Sequence, residues 1–156
     1  MGKKIKERLS SESVWAIDEI EKIKVDQFYS EHEIKFSFFG QMISGTPDWY
    51  GINSRDKELV IVDFKTGKLN LEKEFKYFSQ VKIYAYGLLK SMNLGEDWKA
   101  RLVLMSLDEK KITIETLLKP DVFHQTFETW KKISRLNQAR VEHCSSCKFQ
   151  TYCREK

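Results

Sequence analysis

Leu59-Val60-Ile61-Val62-Asp63-Phe64-Lys65-Thr66-Gly67 decides how this chain folds. Five of its first seven residues are apolar, and the run is bounded by a charged turn at residues 54–58 and by Gly67. A short apolar run between turn signals reads as a buried strand with polar residues only at its exit. Those residues are Asp63 and Lys65. Alternate side chains of a strand share a face, so the carboxylate and the ammonium project to the same side. An acid and an amine placed there suit metal-assisted hydrolysis, the carboxylate binding a divalent ion and the lysine stabilising charge or orienting water. Taken alone, the two residues also describe an ion pair where a strand meets water, and the context has to decide.

Upstream, Gly45-Thr46-Pro47-Asp48-Trp49-Tyr50-Gly51 sets a second carboxylate just after a proline. Proline cannot donate to a ladder, so Asp48 sits at a strand start, edge or bulge, where a side chain can be aimed into a cleft. A turn aspartate is the alternative. Downstream, Gln80 and Tyr84 are four residues apart and share one helix face.

G-x-P-D, a hydrophobic strand ending D-x-K, then Q-x-x-x-Y and a C-terminal cysteine group follow one another over residues 31–153. In that order the chain resembles the PD-(D/E)xK nuclease superfamily, and within it the RecB-type branch and its relatives, the CRISPR-adaptation exonucleases. The resemblance implies an α/β fold of restriction-endonuclease type, with a central mixed β-sheet flanked by α-helices. It implies a metal-dependent DNA nuclease, an exonuclease in DNA processing, repair or recombination, using magnesium or manganese. Asp48 and Asp63 would ligate the ion with help from Glu33 and the Phe64 backbone carbonyl. Lys65 would orient the water and stabilise developing charge, while Gln80 and Tyr84 would position the carboxylates or the DNA. Trp49 and Tyr50 are available for base stacking, or pack in the ordinary way.

The chain of 156 residues suits one domain able to bury its own core. A hydrophobic fraction of 41% with 13% aromatics argues against disorder. No apolar run approaches a membrane span, and Met1-Gly2-Lys3-Lys4 leads into charge rather than a signal-peptide core. The expectation is a soluble, cytoplasmic protein. Of the formal charge of +4, residues 131–156 hold the excess, with seven Lys or Arg against two Glu. A phosphate backbone could dock there, or the segment is a solvated helix end.

Residues 1–9 read as a basic lead, and Ser10-Ser11-Glu12-Ser13 supplies N-cap chemistry for a helix to about Lys24. From Glu33 to Phe38 the sequence alternates as a strand, and residues 42–52 are expected to pair back on it as a hairpin carrying Asp48. A helix over residues 74–92 presents Phe78, Val81, Ala85, Leu88 and Leu89 as its buried stripe. Strands at 100–106 and 111–118, then a helix from Pro120 to about Gln138, complete the expected elements.

Cys144, Cys147 and Cys153 form C-x2-C-x5-C, an odd number at a spacing too tight for a disulfide framework. They suit a shared ligand. In cluster-bearing relatives such a trio joins one N-terminal cysteine around an iron-sulfur cluster, and that fourth cysteine is missing here. The open readings are a cluster with another fourth ligand, zinc with His143 or His124, or thiols packed as small hydrophobes. For the whole chain, the readings set against a DNA nuclease are a non-catalytic DNA-binding or structural subunit, and a nuclease for RNA or branched junctions. Protein partners in a DNA-processing complex are expected.

Overall fold

The computed structural model describes residues 10–139, with side chains to residue 132. The basic lead and the cysteine group at Cys144, Cys147 and Cys153 lie outside the described residues. The elements are α1 (Ser11–Glu21), β1 (Gln27–Ser30), β2 (Ile34–Phe38), β3 (Gln41–Gly45), β4 (Trp49–Asn53), β5 (Glu58–Lys65), α2 (Leu71–Ser91), β6 (Lys99–Ser106), β7 (Lys111–Leu118) and α3 (Lys119–Ala139).

Caps set where the helices begin. Ser10 Oγ accepts the Ser13 N–H at 3.2 Å and starts α1. Asn70 Oδ1 accepts the Lys73 N–H at 2.9 Å, so α2 starts a turn earlier than its apolar stripe suggests. That stripe is buried as expected, from Phe78 through Leu89.

Five strands form a mixed sheet in the order β1-β4-β5-β6-β7. All neighbours are antiparallel except β5 and β6, whose parallel pairing requires a crossover, and α2 supplies it. β5 lies at the centre with Leu59 to Val62 fully buried, which is why its sequence is continuously apolar rather than alternating. Leu59 and Ile61 face a core shared with Val81, Ala85 and Leu88 of α2. Val60 and Val62 face the other way, toward Trp49 and the α1 residues Trp15 and Ile20. The alternation carries Asp63 and Lys65 onto the α2 face.

The expected hairpin of residues 42–52 on residues 33–38 is corrected. β3 does pair with β2, through a two-residue turn in which Phe39 and Gly40 have φ of 46° and 81°. The segment then breaks at Thr46-Pro47, and β4 enters the main sheet between β1 and β5. Pro47 has no N–H for a continuing ladder, so one sequence run serves two sheets. β1, four residues with little apolar pattern, was not foreseen; its pairing with β4 is what holds it. The β2-β3 hairpin lies on α2, where the Phe36 ring packs on the bare backbone of Gly87.

Candidate active site

Register brings the two aspartates together. Trp49 pairs with Val62 at the last rung between β4 and β5, so Asp48 and Asp63 are the next residues on the two strands. Asp48 Oδ2 accepts the Phe64 N–H at 2.7 Å, which fixes its carboxylate at the exit of β5. The pairing ends at that rung; a register continued two residues further would set Pro47 opposite Phe64. At that position a ladder would send a residue's N–H to the Phe64 carbonyl, and a proline has none to send. Proline therefore leaves the Phe64 carbonyl without that ladder donor, while the Phe64 N–H goes to the Asp48 carboxylate.

Asp63 is buried, and Lys65 Nζ lies 2.6 Å from its Oδ2. The contact is a close, largely buried ion pair. Burial pushes the Asp63 carboxyl above the ordinary carboxylate value; the Lys65 ammonium opposes the shift, and the Asp48 charge adds to it. A buried carboxylate with a second carboxylate beside it fits a hard divalent cation. Magnesium needs only one or two protein carboxylates, with water and phosphate completing its shell. Among the described residues no three His, Cys, Asp or Glu side chains converge, so any cation here would rest on that smaller set.

Glu58, at the opposite end of β5, makes a useful contrast. It too is buried, but it pairs with Arg101 at 2.9 Å and Lys99 at 3.4 Å, a neutralised arrangement that serves the fold.

On α2, Gln80 Nε2 donates to Tyr84 Oη at 3.0 Å, so the two act as one unit. Tyr84 lies against Gly45, where an added Cβ would come within 2.5 Å of the ring. The glycine of G-x-P-D therefore makes room for the tyrosine of Q-x-x-x-Y. Lys65 Nζ also sits 4.4 Å from the centre of the Tyr77 ring, a residue that the motifs did not single out. Its position three residues before Gln80 on the same helix face is the signal that could have found it.

Glu33 is placed apart from this group. It is exposed, and its carboxylate pairs with Lys35 at 3.1 Å on the solvent side of the hairpin. Trp49 and Tyr50 are buried and do not present faces for stacking: Trp49 packs toward α1, and Tyr50 stacks on Tyr29 with centroids 4.9 Å apart. His124 is exposed on α3, and lines a groove of about 200 Å³ with Phe75, Lys82 and Lys132. No helix among the described residues is long and apolar enough to cross a membrane.

No curated protein matches the chain. Among solved structures it is similar to the crystal structure of SSO0001, at 19% identity and a TM-score of 0.44, over 87% of this chain and 64% of that one. The family model of the PD-(D/E)XK nuclease superfamily matches residues 1–154, and the chain belongs to that superfamily.

Proposed function

We propose that the protein is a divalent-cation-dependent deoxyribonuclease that hydrolyses phosphodiester bonds from DNA ends, in the manner of the RecB-type branch. The observation that carries this reading is the meeting of Asp48, Asp63 and Lys65 at the exit of β5, with Asp63 buried against the Lys65 ammonium. Asp48, Asp63 and the Phe64 carbonyl would hold magnesium or manganese. Bound there, the ion would supply Lewis-acid activation of water and neutralise phosphate charge.

The chain's own residues do the rest. The Phe64 N–H keeps the Asp48 carboxylate in place at 2.7 Å. Lys65 brings an ammonium to the position where negative charge grows on the phosphate oxygens, and orients the attacking water by hydrogen bonding. Gln80 and Tyr84 hold one another and form a polar wall on the α2 side, against which the carboxylates and a DNA strand are aligned. Glu33 joins the acidic group only if it gives up Lys35. At Cys144, Cys147 and Cys153 we propose an iron-sulfur cluster, with zinc as the alternative; absorbance and metal analysis of protein purified without oxygen separate the two. Protein partners in a DNA-processing complex belong to the same proposal.

The test presents linear and closed-circular DNA, single- and double-stranded, and matched RNA, each with Mg2+ or Mn2+. Loss of linear DNA with circles spared is the expected result. Cutting of circles makes the protein an endonuclease, and preferential loss of RNA changes the substrate. Binding of DNA with every substrate intact favours the non-catalytic subunit.

A further inference from the structure

Lys65 is fixed at its main chain, where its carbonyl accepts the Leu107 N–H at 2.9 Å. Its side chain still has four torsions, and the surroundings decide where the ammonium rests. Two groups meet it: the Asp63 carboxylate at 2.6 Å and the face of Tyr77 at 4.4 Å from the ring centre. Tyr77 is half-buried and packs against the core beneath α2, so the ring is a rigid support.

The two partners are not equivalent. A carboxylate that ligates a divalent cation no longer offers the lysine a net attraction, because the second cation repels the ammonium at close range. The ring face attracts an ammonium through its quadrupole. It has no oxygen lone pair directed at a hard cation, so it does not change partners when one arrives. Gln80 and Tyr84, further along the same helix face, are occupied with each other.

We propose that Tyr77 is a positioning residue that anchors the Lys65 ammonium independently of Asp63. The lysine then stays in the site when Asp63 is engaged elsewhere, instead of extending into solvent. Its catalytic consequence rests on the nuclease reading above; the anchoring itself does not.

The contact is read directly by NMR on the full chain carrying 13C at lysine Cε, with the Lys65 signal identified by its loss in Lys65→Arg. Protons over a ring face are shifted upfield. Lys65 is expected upfield of the lysines that face no ring, as Lys131 over Phe127 also is, in the wild type, in Tyr77→Phe and in Asp63→Asn, and among the ring-free lysines in Tyr77→Leu. A Lys65 signal that is unshifted in the wild type, or that returns to the others in Asp63→Asn, overturns the proposal. In DNA cleavage, Tyr77→Leu is expected to lower kcat by about tenfold, as loss of a desolvated cation–π contact implies, with KM within about threefold and most of the rate restored by Tyr77→Phe. Equal kcat losses in Tyr77→Leu and Tyr77→Phe would also overturn it. If the wild type cleaves nothing, the nuclease reading fails, and the Asp63→Asn spectrum still decides the anchor.

Discussion

Asp63 shows how a buried carboxylate works against the fold that carries it. Its carboxyl is raised by burial, so the folded state holds its proton more tightly than the unfolded chain does. Stability from this group is therefore fully present below the ordinary carboxylate range and is lost as pH rises through the raised value. Asp63→Asn removes the ionisation and should raise the melting temperature of the metal-free protein at neutral pH. The gain should vanish as the pH approaches 4, the region of an ordinary aspartate. Melting curves of both proteins across pH check this, and an unchanged difference at every pH would contradict it. Asp63 and Lys65 were legible in the sequence because a polar pair at the end of an apolar strand stands out. Tyr77 was not, since an aromatic on an amphipathic helix reads as core until the lysine beneath it is seen.

Elements place these residues through exceptions to their own rules. Pro47 ends one sheet and starts another, and in doing so withholds a donor from the Phe64 carbonyl. Pro47→Ala restores an N–H there and should weaken Mg2+ binding severalfold by calorimetry, with the fold retained; unchanged affinity would remove Phe64 from the ligand set. Gly87 is the second exception. Helix propensity alone favours Ala over Gly by about 1 kcal/mol. The Phe36 ring, however, occupies the space a Cβ would need, and overpacking of this kind costs about 1–3 kcal/mol. Gly87→Ala should therefore destabilise the protein in urea, and a stabilised variant would show that the hairpin gives way freely. The strand over residues 34–38 and the α2 stripe were legible because their periods are clean. The division of residues 42–52 was not, because both halves are strand-like and only the partners differ.

At the scale of the molecule, the mixed sheet puts the exit of β5 beside the start of β4, with α2 covering one face. Order along the chain gave the motifs, but the sheet order that joins them depends on long-range pairing. Glu33 marks the difference: it matched a family pattern in the sequence, yet at the open end of the hairpin, beside the Ile34–Gly45 rung, its exposed carboxylate rests on Lys35. If DNA docks on residues 131–156 through their excess of positive charge, binding should be strongly salt-dependent, with log affinity falling linearly with log salt concentration. A flat salt response in a titration of fluorescent DNA would count against a phosphate-docking role for that segment.

The most direct measurement is the single-turnover rate of linear DNA cleavage in saturating Mg2+ for the wild type, Asp63→Asn and Lys65→Ala, each shown to be folded. If the group at the exit of β5 is the catalytic centre, both substitutions lower the rate by about a hundredfold or more, the scale of losing a charge-stabilising group. Cleavage that persists at the wild-type rate in either variant would contradict it.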